Sequence, residues 1–176
     1  MIADDKQLNL LEQQAILVKI KEILADTIEL SKSFIIDNPI AFEETHSINL
    51  FNKKGKNTIF SLNFFLKIWQ QTKLEHAYYI YSLMLVDKLI SLNKIELTYQ
   101  NAENIYFTCL VLSIKTLSDK NKGNRRYAEM AGIKLNQLNK MEYKILSLLD
   151  FEVYLSEELF LSYEKYLFGL IDNNMK

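Results

Sequence analysis

The stretch Ile105-Tyr-Phe-Thr-Cys-Leu-Val-Leu-Ser-Ile-Lys-Thr-Leu117 is apolar around most of its circumference when it is drawn as a helix. A helix of this kind lies at the centre of a protein, because it offers no polar face to water. Lys115 is the one charged residue in the stretch, and an unpaired buried cation is strongly destabilising. The stretch therefore predicts a central helix whose lysine needs a partner.

A second charge lies on an otherwise apolar helical face. Glu142 falls within the stripe formed by Leu135, Leu138, Met141, Ile145, Leu146 and Leu149. Taken alone, the residues favour an ion pair between Lys115 and Glu142 inside the fold, because buried charges are usually paired within their own protein. The alternative is that both charges bind the polar backbone of another protein, and these two interpretations imply different functions.

The composition predicts one all-α domain. With 176 residues, of which 49% are hydrophobic, the chain can bury a substantial core and still carry a terminal extension. One proline and four glycines leave few obligatory breaks, which favours long helices over the tight turns of a sandwich or barrel.

Charge and hydropathy limit the partners that we expect. The formal net charge is -1, with lysines and acids interspersed, so neither nucleic acid nor an anionic membrane is expected to bind. No apolar run reaches the roughly 18 residues of a membrane span, and the N-terminus lacks the charge order of a signal peptide. We expect the protein in the cytosol, the nucleus or both.

Residues that could perform chemistry are scarce. Two histidines, His46 and His76, and one cysteine, Cys109, are present, and no glycine-rich phosphate loop or nucleophile-with-base pattern accompanies them. Cys109 lies in the most apolar segment, where a free cysteine usually acts as a small hydrophobe. We therefore expect no catalytic residue, no cofactor, no metal site and no small-molecule substrate.

Helix signals divide the chain further. Residues 8–36 have an amphipathic pattern typical of one or two helices, which Asp37-Asn-Pro39 would stop. Later helices are expected at about residues 62–69, 74–92, 105–117, 125–130, 135–149 and from 156 onward. The predicted N-caps are Ser61, Thr98 or Asn101, Asn124 and Ser156, and the predicted C-cap is Gly132.

Several short motifs follow one another in the order and at the spacing of one family. They are Ile59-Phe-Ser-Leu-Asn-Phe-Phe-Leu-Lys67, Leu74-Glu-His76, Leu85-Val-Asp-Lys-Leu89, Leu97-Thr98, Lys115, Asp119, Asn124, Tyr127-Ala128, Gly132-Ile133, Gln137-Leu-Asn139, Met141-Glu142 and Leu148-Leu-Asp-Phe151. The region from about residue 51 to 163 resembles a cyclin box of the P/U type. No single motif is diagnostic, but the ordered set makes coincidence improbable.

The resemblance implies a five-helix box with further helices at both ends. Its expected domains are 1–50, an N-terminal helical segment and loop, 51–153, the cyclin box, and 154–176, a C-terminal helix. We also expect the N-terminal segment to pack on the box and to extend its partner surface.

The resemblance further implies a regulatory subunit of a cyclin-dependent protein kinase. In that family the residues matching Lys115 and Glu142, on the third and fifth helices of the box, hold the backbone at the start of the kinase's mobile helix C. The other positions that the family uses against the kinase match Thr116, Leu146, Phe151 and Val153.

A structural ion pair is also implied. In the family, the acid matching Asp87 pairs with a basic residue on the first box helix, which is Lys67 in this chain.

Three residues depart from the usual family pattern: Lys88 and Asn104 replace common arginines, and Thr116 replaces a common aromatic residue. These departures reduce planar bidentate contacts and apolar area. A cyclin-fold scaffold or adaptor that binds no kinase is the alternative function.

Overall fold

The computed structural model describes residues 10–37, 49–53, 62–119 and 123–174. Regular structure in these ranges is helical throughout, which confirms the predicted all-α class. The α-helices are α1 (Leu10–Asp37), α2 (Leu62–Thr72), α3 (His76–Ser91), α4 (Ala102–Leu117), α5 (Asn124–Ala131), α6 (Leu135–Leu148) and α7 (Glu157–Asn174), and a 3-10 helix spans Asn49–Phe51. Helices α2 to α6 form the predicted five-helix box. The predicted cap Ser61 and the residues after Asp37 in the predicted stop lie outside the described residues.

Helix α4 lies at the centre of the core, as its apolar circumference predicts. Every residue from Ala102 to Ile114 is buried. The helix packs against α3 and α6, and its aromatic rings contact α2, with 4.9 Å between the ring centroids of Tyr106 and Phe65. This packing places Lys115 where α4 emerges from the core.

Polar side chains connect the start of α4 to the segments that precede it. Of the two predicted N-caps, Thr98 and Asn101, the structure places Asn101 at the N-cap position, but its side chain makes no cap bond. The side chain of Asn101 instead accepts from the backbone N–H of Thr98 and donates to the carbonyl of Glu96. The amide of Asn104 donates to the Phe51 carbonyl at 2.7 Å. Both amides therefore hold preceding backbone against α4. Asn104, which replaces a common arginine, does so through the 3-10 helix.

Helix α1 is part of the same core. The amphipathic pattern of the N-terminal segment forms one continuous helix that buries Ile16, Leu17, Ile20, Leu24 and Ile28. The helix packs against α2, α3 and α7, and the Trp69 indole N–H donates to Gln13 at 3.1 Å. The predicted packing of this segment on the box is therefore confirmed.

Helix α7, at the C-terminal end of the described chain, packs against α1 and α3. The Ser156 hydroxyl accepts from the backbone N–H of Leu159 at 3.3 Å, which confirms the predicted N-cap. Further along α7, Glu164 contacts His76 at 2.8 Å between Oε1 and Nε2. Phe160, Leu167 and Ile171 of the same helix are buried.

The partner of Asp87 differs from the prediction. In the described part of the chain Asp87 and Lys67 form no ion pair; Lys67 is exposed, and the Tyr163 hydroxyl donates to Asp87 Oδ2 at 2.9 Å. Burial raises the pKa of the Asp87 carboxyl, and the bond from Tyr163 partly offsets that rise. Burial and the neighbouring Asp87 charge likewise raise the pKa of Tyr163. Asp87 therefore joins α3 to α7 through Tyr163.

Two leucines of α1 test how far this helix contributes to the core. Leu24 is 1% exposed, whereas Leu30 is 72% exposed. We expect Leu24→Ala to lower the free energy of unfolding by about 2 to 5 kcal/mol, because it leaves a cavity in the core. Leu30→Ala is the matched control and should change it by less than about 0.5 kcal/mol. Chemical denaturation measures both values, and a loss at Leu24 as small as that at Leu30 would show that α1 is not an integral part of the core.

The burial of Asp87 predicts a pH dependence of stability. Because its folded-state pKa is raised, the folded protein binds this proton more tightly than the unfolded chain does, so stability falls as pH rises through the folded pKa. Asp87→Asn should remove that decline while keeping an acceptor for Tyr163. Tyr163→Phe should steepen it, because the hydroxyl lowers the pKa of Asp87. Denaturation of the unmodified chain and the two variants from pH 4 to pH 8 gives the free energy of unfolding as a function of pH. Parallel curves for the three proteins would show that Asp87 does not cause the decline.

Candidate functional site

Lys115 and Glu142 form an ion pair between α4 and α6. Lys115 Nζ contacts Glu142 Oε1, and the side chains are 26% and 11% exposed respectively. The lysine also lies in the last turn of α4, where a cation interacts favourably with the helix dipole. The internal pair expected from the residues is therefore formed, and its cationic end remains partly open to solvent.

Asn124 supplies a second donor to the same carboxylate. Its Nδ2 atom lies 2.5 Å from Glu142 Oε2 and 2.8 Å from Asn139 Oδ1. The predicted role of Asn124 as an N-cap is wrong, because the N-cap of α5 is Gly123, at φ +36°, and Asn124 is the first helical residue. Residues of α4 and α5 thus converge on the glutamate of α6.

A tight turn after α6 brings the predicted apolar positions together. Phe151 N donates to the Leu146 carbonyl at 2.8 Å, and Val153 N donates to the Phe151 carbonyl at 3.2 Å. Asp150 and Phe151 both have left-handed backbone angles, with φ of +51° and +61°. Such angles are rare for bulky residues and indicate local strain. The turn keeps Leu146 and Val153 half-buried while Phe151 is 60% exposed.

Two side chains of α3 hold the segment that follows this turn. The Tyr81 hydroxyl donates to the Val153 carbonyl at 2.8 Å and accepts from Leu155 N at 3.0 Å. Lys88 Nζ donates to the Glu152 carbonyl at 2.9 Å. Burial raises the pKa of Tyr81, which keeps the hydroxyl protonated and able to donate. Lys88 therefore anchors this backbone although it is not the usual arginine.

Exposed aromatic rings lie beside the turn. Tyr143, directly after Glu142, is 67% exposed, and its ring meets Phe151 edge-to-face with 6.3 Å between centroids. Tyr154 is 77% exposed. Thr116, the other predicted position, is exposed, and its hydroxyl donates to the Leu112 carbonyl at 2.9 Å. Exposed aromatic side chains of this kind are characteristic of binding surfaces rather than of the average protein surface.

The chain's one cysteine is buried. Cys109 lies within α4, and burial raises its pKa, so its thiol stays protonated and unreactive. Across the described ranges no group of three or more His, Cys, Asp or Glu side chains is arranged to hold a metal ion. Within these same ranges, no helix is both long and apolar enough to cross a membrane.

Comparison with known proteins identifies the family. The sequence model of the family described as Cyclin matches residues 5–153, which is most of the chain. The chain belongs to the cyclin family. It is a P/U-type cyclin with one cyclin box in the matched region, because its curated relatives are U-type and P-type cyclins.

Three relatives show the extent of the similarity. Cyclin-U1-1 of Arabidopsis thaliana is 30% identical over 118 residues, covering 66% of this chain and 56% of the relative. Cyclin-P1-1 of Oryza sativa subsp. japonica is 31% identical over 68 residues, covering 39% of this chain and 26% of the relative. Cyclin-U2-2 of Arabidopsis thaliana is 27% identical over 100 residues, covering 55% of this chain and 43% of the relative. The matched region thus spans less than two thirds of each relative.

The sequence analysis did not assign a role at this cyclin surface to the amide pair Asn124 and Asn139, to Tyr143 or to Tyr81. Asn139 and Glu142 are three residues apart, which places them on one face of α6 and could have directed attention to an amide partner such as Asn124. Tyr143 directly follows Glu142, and that position was a signal that the sequence also offered. Tyr81 gave no such signal, because its partners are backbone groups that are more than 70 residues away in the sequence.

Substitutions of Phe151 measure the strain in the turn of this cyclin. Phe151→Ala and Phe151→Gly both remove the ring, but only glycine adopts φ +61° without a steric penalty. The glycine variant should therefore have a free energy of unfolding about 1 kcal/mol higher than that of the alanine variant. Chemical denaturation compares the two variants directly. A less stable glycine variant would show that the left-handed backbone at this residue is not strained.

Proposed function

We propose that this cyclin is the activating regulatory subunit of a cyclin-dependent protein kinase, and that it binds the kinase helix C region through α4 and α6. The observation that carries the proposal is the partly open Lys115–Glu142 pair lying beside exposed aromatic side chains. Family membership favours a regulatory role. The surface that would hold the kinase backbone is formed by Lys115, Thr116, Glu142, Leu146, Phe151 and Val153.

The ion pair has unused capacity to bind backbone groups. A lysine ammonium has three donor hydrogens, and an ionised carboxylate has about four acceptor sites. Lys115 donates to Glu142, and Glu142 receives bonds from Lys115 and Asn124. The remaining Lys115 hydrogens can meet kinase carbonyls, and the remaining Glu142 lone pairs can accept kinase amide protons. Because the charges are already paired, a partner that excludes water leaves neither of them stranded.

The turn after α6 supplies the apolar part of the contact. Phe151 and Tyr143 present aromatic area at low entropic cost, and Leu146 and Val153 lie at its base. Aromatic anchors of this type carry a large share of the energy in protein interfaces. The turn thus places apolar contacts next to the polar contacts of the ion pair, which is what an amphipathic kinase helix requires.

Local charge favours an acidic partner surface around these contacts. Residues 115–144 contain eight basic and three acidic side chains, whereas the whole chain has 21 basic and 22 acidic residues. Charges are therefore less evenly interspersed than the overall composition suggests. Arg125, Arg126 and Lys140 are exposed on α5 and α6. A positive field of this kind accelerates association with an acidic surface and weakens as salt rises.

Activation follows from preferential binding. A kinase is active when its helix C is rotated inward, so that the helix C glutamate pairs with the ATP-positioning lysine. A cyclin that binds only the inward state shifts the kinase population toward it by its difference in affinity for the two states. Converting a kinase from about 1% to about 99% active requires roughly 5.5 kcal/mol of preference. The chemistry takes place on the kinase, and the cyclin supplies the binding energy.

Charge-removal variants test the proposal. The chain is titrated against a panel of purified cyclin-dependent kinases, with binding measured by calorimetry and activation by phosphate transfer to a peptide. Glu142→Ala and Lys115→Ala should each weaken binding by about 2 to 5 kcal/mol, because each leaves a charge unpaired at a desolvated contact. Lys165→Ala, on the exposed side of α7, is the control and should bind as the unmodified chain does.

Thermal unfolding establishes that each variant is folded before its affinity is compared. Unchanged affinity of folded Glu142→Ala and Lys115→Ala would assign the pair to fold stability alone. An unmodified chain that binds no kinase in the panel would support the alternative, a cyclin-fold scaffold.

A further inference from the structure

Asn124 occupies a position that helix capping does not explain. An asparagine at the start of a helix usually accepts a backbone N–H through its side-chain oxygen, which stabilises the helix. Asn124 makes no such bond, because it is the first helical residue and Gly123 precedes it as N-cap. Its Nδ2 group instead donates to Glu142 Oε2 and to Asn139 Oδ1. The side chain is therefore directed at α6 rather than at its own helix.

The orientation of this amide has a visible cost. Asn124 Oδ1 is buried and has no hydrogen-bond partner, which distinguishes it from every other buried side-chain oxygen or nitrogen in the described ranges. A buried acceptor without a donor is destabilising. Turning the amide over would be worse, because Oδ1 would then face two acceptors, the Glu142 carboxylate and Asn139 Oδ1. The carboxylate thus sets the orientation of the amide.

A second donor changes what the carboxylate can do. The terminal torsion of a glutamate is broad, so a single bond from Lys115 to Oε1 leaves the carboxylate plane able to rotate. Asn124 bonds to the other oxygen, Oε2, and comes from a different helix. With both oxygens held, the plane is fixed and the remaining lone pairs point in defined directions. Asn139 fixes the amide in turn by accepting its second hydrogen.

We infer that Asn124 is a positioning residue for partner binding: it locks the Glu142 carboxylate plane so that the free lone pairs meet the kinase backbone in the required direction. This inference rests on the function proposed above and adds a determinant outside the Lys115–Glu142 pair. It assigns to α5 a role in binding that does not require α5 itself to contact the kinase.

The experiment is a double-mutant cycle. Asn124→Ala, Asn124→Asp, Glu142→Ala and the double variant Asn124→Ala/Glu142→Ala are titrated by calorimetry against the panel kinase that binds the unmodified chain most tightly. Asn136→Ala, an exposed asparagine on α6, is the matched control. Asn124→Ala should weaken binding about tenfold, because it removes a hydrogen bond to a charged group. Asn124→Asp should weaken it more, because it places a second carboxylate against Glu142.

The double variant separates positioning from a general structural role. If Asn124 acts through Glu142, adding Asn124→Ala to Glu142→Ala causes no further loss of affinity. The NMR signals of the Asn124 side-chain amide should also move when Glu142→Gln is introduced, and the Asn136 amide should not. The aspartate variant keeps the shape of the side chain, so it still tests the inference if the alanine variant does not fold.

The outcomes distinguish this inference from the function on which it rests. An unmodified chain that binds no kinase overturns both. A chain that binds, and is weakened by Glu142→Ala but not by Asn124→Ala or Asn124→Asp, overturns the positioning role alone. Losses that add in the double variant also overturn it, because they show that Asn124 acts independently of Glu142.

Discussion

The Lys115–Glu142 ion pair is the interaction on which the geometry of the candidate site depends. A helix that is apolar on all sides must be surrounded, so α4 lies among α3, α6 and the 3-10 helix Asn49–Phe51. The final turn of α4 carries Lys115, and α6 supplies the carboxylate of Glu142 that pairs with it. Two charges at the edge of an apolar core are tolerated because they compensate one another and because Asn124 satisfies the second carboxylate oxygen. The pair thus fixes the relation of α4, α5 and α6 at one point.

The turn after α6 shows a second constraint, which opposes stability. Asp150 and Phe151 both adopt left-handed backbone angles, and an aromatic ring in that position stays largely in solvent. Neither feature stabilises the free chain. The bonds from Tyr81 and Lys88 hold the following backbone in place, so the strain persists because the surroundings impose it. Strain of this kind concentrates at functional sites, which agrees with a surface made for a partner rather than for the core.

Much of the fold was predictable because its signals are local. Hydrophobic periodicity located the helices, and the left-handed preference of glycine located the C-cap at Gly132, where φ is +69°. The Lys115–Glu142 pair was predictable because two buried charges of opposite sign must find each other. The role of Asn124 was not, since an asparagine before a helical pattern looks like a cap whether or not it reaches another helix. The predicted partner of Asp87, Lys67, was wrong because the sequence does not show that α7 packs on α3. That packing brings Tyr163 to Asp87.

Helix α3 connects these features, although it carries none of the residues expected to contact a partner. It packs along α4, and Ser113 of α4 donates to its Tyr78 carbonyl at 3.0 Å. From the same helix, Tyr81 holds the segment after the strained turn, and Asp87 accepts from α7. One rigid pair of helices, α3 and α4, therefore sets the ion pair, the exposed aromatic turn and the C-terminal helix in a common frame. A buried structural helix can thus determine the geometry of a surface that it does not form, because each element of that surface is bonded to it or to its packed neighbour.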